Sequence, residues 1–327
     1  MAVTSQKEEM LRVCDLKTYF FTSDGVAQAV DGVSFDVGRG ETVGLVGESG
    51  CGKTVTALSI LRLVPQPAGK IVGGEVLFDG VDLLKIPEQD MRRIRGAKIS
   101  MVFQEPMTSL NPVFTVGEQV AEAIRTHRRV SRREAREKTV QLLEKVEIPD
   151  PELRYSEYPH QLSGGQKQRV VIAMALSCNP SLIIADEPTT ALDVTTEAQV
   201  LDLLLALQKE FGMSILLITH DLGIVAQLTQ RVAVMYAGKI VEYSATEELF
   251  ASPFHPYTRA LLQSIPSGAG ERERLKAIPG EVPSPLRFPA GCRFHPRCEL
   301  ADSLCKSRAP EMRSHNNHLV WCWKVKI

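Results

Sequence analysis

The chain alternates short apolar runs with stretches whose apolar positions recur every three or four residues. Leu11-Arg12-Val13 and the segment from Ala29 to Val37 predict strands. The segment from Glu41 to Val46 predicts a short buried strand. A glycine-rich turn follows, and Thr54 to Leu63 carries helical spacing. Residues 75–86 predict a hairpin about Asp79-Gly80, and residues 116–146 predict helix. Leu182 to Ala185 is a second buried strand, with a helix expected over Thr195 to Gln208. Ser214 to Thr219 is a third, and Arg231 to Val241 predicts a hairpin turning at Ala237-Gly238. Buried strands that alternate with helices imply an α/β core with a mainly parallel sheet. After about residue 250, prolines from Pro253 to Pro310 interrupt any long element. A boundary at 248 therefore separates residues 1–248 from a loop-rich segment, 249–327.

Gly47-Glu48-Ser49-Gly50-Cys51-Gly52-Lys53-Thr54 fits the pattern G-x-x-x-x-G-K-[S/T] in full. It lies between a predicted strand and a predicted helix, the context that a phosphate loop requires. Glycines let the backbone turn its N–H groups toward phosphate oxygens, and the helix N-terminus adds partial positive charge. In this chemistry Lys53 holds the β- and γ-phosphates and the Thr54 hydroxyl ligates Mg²⁺. Asp186 and Glu187 close the second buried strand. There Asp186 is placed to hold Mg²⁺ through water, and Glu187 to polarise a water for in-line attack on the γ-phosphate. A further anion site is expected at Leu162-Ser163-Gly164-Gly165-Gln166, where Ser163 can cap the helix that follows.

With the last motif the chain resembles the ABC-type ATPases, the nucleotide-binding subunits of ATP-binding cassette transporters. The resemblance covers residues 11–245. It implies a P-loop NTPase of ABC type: a parallel-sheet core, an antiparallel β region and a helical subdomain at about 104–165. It also implies that Ser163, Gly165 and Gln166 of one subunit complete the nucleotide site of another, around ATP and Mg²⁺. Gln104 matches the Q-loop glutamine, which contacts Mg²⁺ and the attacking water. Asp193 in Ala191-Leu192-Asp193 matches the D-loop, and His220 matches the switch histidine. Among Tyr19, Phe20 and Phe21, Phe20 is the best match to the aromatic that stacks on adenine. Cys51 stands where the family often has Ser, and a neutral substitution is the simpler reading.

The segment from Phe254 to Leu262 resembles the opening of the C-terminal extension of oligopeptide and dipeptide importer ATPases. That resemblance implies import of di- or oligopeptides. The partners implied are a second, distinct ATPase subunit, two transmembrane permease subunits and an extracytoplasmic peptide-binding protein. The expected location is the cytoplasmic face of the cell membrane. Importers of nickel or another small solute share the architecture and stay open as an alternative. A soluble ABC ATPase and a redox-sensing regulator are more distant readings. Cys292, Cys298, Cys305 and Cys322 are spaced C-x5-C-x6-C-x16-C. Grouped thiolates of this kind can hold an iron–sulfur cluster or Zn²⁺, or stay free. The loose spacing and the subgroup resemblance favour a [4Fe–4S] cluster that orders the small, irregular, Cys-rich extension.

Composition adds exclusions. Lys plus Arg number 38 and Asp plus Glu 39 in 327 residues, for a net charge of −1. That balance argues against a general nucleic-acid binder. The basic stretch from Arg125 to Lys138 reads as a solvated helix face. The longest apolar runs, Val170 to Leu176 and Ile215 to Ile218, fall well short of the ~20 residues that span a bilayer. The opening residues lack the basic-then-apolar pattern of an export signal, so a cytosolic chain is expected.

Overall fold

The computed structural model describes residues 8–105, 109–190, 192–264 and 278–325. Ala191, part of the D-loop match quoted above, lies outside them. The chain forms two compact units: one joins the segment up to Leu84 with Ile218 onward, and the other is Lys85–Leu217. This grouping differs from a simple cut at 248, because the segment after 218 packs with the N-terminal strands.

In the first unit, β1 (Glu9–Thr22) pairs antiparallel with β2 (Gly25–Gly38). After β3 (Thr42–Val46) come β4 (Gly69–Phe78) and β5 (Val81–Asp82), which give an antiparallel sheet in the order β2–β1–β4–β5. Leu11 and Val13 point inward while Arg12 between them is exposed, the alternation of a strand with one wet face. The second unit carries β6 (Ile99–Val102), β7 (Leu182–Asp186) and the first four residues of β8 (Ser214–Thr219), with β6 and β7 parallel. All three are buried along their length, as a parallel sheet covered on both faces requires. In this unit the helical stretch 116–146 is two helices, Val116–His127 and Arg132–Lys145. Ser131 breaks it by capping the second: its hydroxyl accepts from the Glu134 N–H. Arg133 pairs with Glu137 and Lys138 with Glu134 one turn apart, so this basic stretch is the solvated face expected of it.

The first unit resumes with β9 (Arg231–Tyr236), which lies parallel to β3, and β10 (Lys239–Ala245). Ala237 and Gly238 join them with φ of 46° and 81°, the twisted turn that a two-residue hairpin needs. The proline-rich segment, expected to be loop-rich, contains a second hairpin: β11 (Met312–His315) and β12 (His318–Trp321). Asn316 and Asn317 turn it, both at positive φ. β12 then adds to the sheet beside β10.

One buried carboxylate fastens this addition. Glu242 of β10 is 0% exposed and accepts from the backbone N–H groups of Phe254 and His255 and from His318 Nε2 at 2.7 Å. These bonds hold its carboxyl below the ordinary range despite burial. His255 next to it caps the helix Pro256–Gln263 by accepting the Tyr257 N–H at Nδ1. Burial pushes the His255 imidazole down to about 4, against a small upward pull from Glu242. Unfolding frees it to take a proton near 6.5, so stability is full above that pH and is lost as pH falls toward 4. The loss amounts to up to roughly 3 kcal/mol across that window. Urea unfolding at pH 7.5 and pH 5 measures it: His255→Asn keeps a capping acceptor and is expected to flatten the pH dependence. An unchanged pH slope in that variant contradicts the assignment.

Candidate functional site

The phosphate loop grows out of β3 in the first unit. At Gly47 φ is 153°, and a Cβ there would lie 2.1 Å from the Met235 carbonyl oxygen. At Gly52 φ is 109°, and a Cβ would lie 2.3 Å from the Ala29 oxygen. Only glycine permits either approach. Gly52 is also the N-cap of the helix Lys53–Ile60 and offers no side-chain cap. The first-turn N–H groups therefore face the loop, where an anion can take them. The Lys53 ammonium donates to the Gly47 and Glu48 carbonyls at 2.8 and 3.2 Å, which folds it over the loop. Ser49, Gly50 and Thr54 are exposed. Cys51 is buried and burial pushes its thiol up, which favours the unreactive protonated form. A glycine cradle, an ammonium and an exposed hydroxyl suit a triphosphate with its metal.

In the same unit His220 follows β8 and is exposed; Asp221 after it caps the helix Leu222–Leu228 through the Gly223 and Ile224 N–H groups. Phe20 is partly buried on β1, opposite Ala27. Its neighbours differ: the Tyr19 hydroxyl donates to Asp31 at 2.9 Å, while Phe21 is 46% exposed with the Lys70 ammonium 5.5 Å from its ring centre.

The second unit carries the remaining candidates. Asp186 is the buried last residue of β7. Glu187 follows with φ of 46°, a left-handed conformation that costs a non-glycine residue about 1–2 kcal/mol. Its carboxylate accepts from the Gln104 amide at 3.0 Å and from the Thr190 hydroxyl at 2.9 Å. The structure thus joins two candidates 83 residues apart, Gln104 and Glu187. Thr190 was not foreseen; its signal is the spacing of three from Glu187. Ser163 caps the helix Gly164–Leu176 in a reciprocal pair with Gln166, and it is exposed. Asp193 caps the helix Val194–Phe211 by accepting the Thr196 N–H and hydroxyl, which hold its carboxyl low. A Cβ on Gly165 would lie 2.5 Å from the Thr196 methyl, so the signature helix abuts the D-loop helix through glycine.

The metal expectation for the extension is corrected. Cys292, Cys298, Cys305 and Cys322 do line one cavity, but its volume is ≈ 10 Å³, about the room of a single water. Among the described residues no group of three or more His, Cys, Asp and Glu side chains is arranged to hold a metal ion. All four cysteines are free thiols. Burial pushes Cys292 up to about 11 and raises Cys298 and Cys322 as well. Neither the [4Fe–4S] cluster nor Zn²⁺ stands. The extension is ordered by its hairpin and by shared packing: Tyr257 and Phe294 join Tyr236 and Val234 in one core.

No helix among the described residues is long and apolar enough to cross a membrane. The sequence model of the ABC transporter family matches residues 30–190. That of the oligopeptide/dipeptide transporter C-terminal region matches residues 241–305. A probable peptide ABC transporter ATP-binding protein, y4tR of Sinorhizobium fredii, is 54% identical over 318 residues, 96% of this chain and 95% of that protein. The oligopeptide transport ATP-binding protein AppD of Bacillus subtilis is 52% identical, with 94% of each chain covered. The dipeptide transport ATP-binding protein DppD of the same organism is 49% identical over 97% of this chain and 95% of its own. Among solved structures, the dimeric ATP-binding cassette MJ0796 bound to ADP and Pi aligns with a TM-score of 0.65 at 30% identity, over 72% of this chain and 99% of that one. CbiO1 from Clostridium perfringens, part of the ABC transporter complex cbiONQ, aligns with a TM-score of 0.63 at 29% identity, over 75% and 92%. Phosphate loop, strand-end acids and signature helix, with similarity along nearly the whole length, make this chain a member of the ABC transporter ATP-binding protein family, an ATPase of the P-loop α/β fold.

Proposed function

We propose that the chain is the ATP-hydrolysing subunit of an importer of di- or oligopeptides. The observation that carries this reading is similarity to peptide transport ATP-binding proteins along nearly the full length, extension included. In this reading residues 1–248 form the ATPase domain, with a helical subdomain at about 104–165, and 249–327 the extension. The chain works against a second, distinct ATPase subunit, beneath two transmembrane permease subunits. It sits on the cytoplasmic face of the membrane, and an extracytoplasmic binding protein delivers the peptide. No nucleic acid is involved.

The proposed roles follow from residue chemistry. Phe20 stacks on adenine. The N–H groups of Gly47, Ser49, Gly50, Cys51 and Gly52 hold the phosphates, and Lys53 bridges the β and γ groups. Thr54, Asp186 and Gln104 are the residues that would hold Mg²⁺, which when bound would supply positive charge to offset the charge developing on the phosphates. Glu187 accepts a proton from the attacking water as its oxygen bonds to the γ-phosphorus and the bond to the β-bridging oxygen breaks. The Gln104 amide and the Thr190 hydroxyl hold that carboxylate in one orientation, and His220 contacts the γ-phosphate. Ser163, Gly165 and Gln166 serve the nucleotide on the partner subunit, with Asp193 beside them. An exposed capping serine at a helix N-terminus suits a γ-phosphate brought by another protein. ATP then closes the pair of subunits and hydrolysis releases it.

Glu187→Gln is expected to keep ATP affinity and lose about 10²–10³-fold in turnover. ATP-bound dimers accumulate in that variant and elute early in size exclusion. Turnover near the parent value removes Glu187 as the base. Replacing Ser163 with Arg in the assembled transporter is expected to abolish peptide-stimulated ATPase while each chain still binds ATP. Normal stimulation contradicts completion of the site by a second subunit.

A further inference from the structure

Glu48 occupies a variable position of the phosphate loop, yet it is held from two sides by the segment beyond residue 250. Its backbone N–H donates to the Tyr257 hydroxyl oxygen at 2.9 Å. Its carboxylate accepts two bonds from the Arg297 guanidinium, Nη1 to Oε2 at 2.7 Å and Nη2 to Oε1 at 3.0 Å. This is the bidentate fork, the stronger form of such a pair. Arg297 is 4% exposed as a side chain and Glu48 27%, so solvent screens the pair weakly.

Both clamping residues are themselves fixed. Arg297 Nε donates to the Pro279 carbonyl, and its Nη1 reaches the Tyr236 hydroxyl at 3.4 Å. Tyr257 is fully buried, with its ring 4.6 Å from Tyr236 and 5.3 Å from Phe294. The extension therefore presents one rigid cation and one rigid acceptor to a single residue of the loop. The charge logic is equally plain. A carboxylate inside an anion cradle repels a triphosphate, and Arg297 both cancels that charge and holds the carboxylate in place.

We propose that Arg297 is a positioning residue for ATP: with Tyr257 it pins and neutralises Glu48, so the C-terminal extension sets the affinity of the phosphate loop. The inference rests on the ATP-binding activity of the family and not on the cargo. Lost peptide uptake with intact ATP affinity strikes only the import reading.

The test is calorimetric titration of the full-length chain with Mg·ATP, with steady-state ATPase alongside. Arg297→Met is expected to raise Kd and KM for ATP about tenfold while kcat changes less than about threefold. Glu48→Gln placed in the same chain removes the stranded carboxylate and is expected to restore most of the lost affinity. Merely structural damage at Arg297 is not repaired in this way. Wild-type Kd in a folded Arg297→Met chain overturns the proposal, and so does failure of Glu48→Gln to restore binding. If Arg297→Met does not fold, Tyr257→Phe reads the same clamp by deleting one oxygen. A rise in Kd of about threefold is expected there, and an unchanged Kd overturns the proposal.

Discussion

The shape of the glycine-rich loop from Gly47 to Thr54 depends on two close approaches of backbone to backbone. Gly47 lies against the Met235 carbonyl of β9, and Gly52 against the Ala29 carbonyl of β2. A third contact completes the wedge: the Gly238 N–H, from the β9–β10 turn, donates to the Cys51 carbonyl at 2.8 Å. The phosphate loop is thus cast between the strand parallel to β3, β2 and a tight hairpin. Its own glycines allow the shape, and the surrounding strands impose it. Donors fixed in this way need little rearrangement when phosphate arrives, which is the condition for strong electrostatic binding.

The same hairpin links the loop to the rest of the first unit. Tyr236 at the end of β9 packs against Tyr257 and Phe294, and Arg297 bonds to its hydroxyl. Glu242 on β10 collects Phe254, His255 and His318 around one buried carboxylate. Removing one partner of such a group leaves a buried charge unpaired, a larger cost than the pair itself contributes. The extension is therefore built into the wall of the cassette by polar contacts that have one solution.

What was legible in the sequence was local. The phosphate loop, the apolar strand ending in Asp186-Glu187 and the capped signature helix each declare themselves within ten residues. The Ala237-Gly238 turn did so too, since only certain residues accept its dihedrals. Gln104 was legible only through family resemblance, and its bond to Glu187 only in the structure, because no spacing rule joins residues that far apart. The hairpin of β11 and β12 was hidden by the prolines around it, although Asn316-Asn317 is a turn signal in its own right. Four cysteines near one another in sequence suggested a metal. Spacing carries no information about the volume they enclose.

If the backbone approach at Gly47 creates the phosphate cradle, blocking that approach abolishes ATP binding. The direct measurement is calorimetric titration of Gly47→Ala with Mg·ATP, with the fold checked by circular dichroism. A methyl group there must displace either the Met235 carbonyl or the loop, so a folded chain with no measurable ATP binding is predicted. A folded Gly47→Ala chain that binds ATP as the parent does contradicts the account.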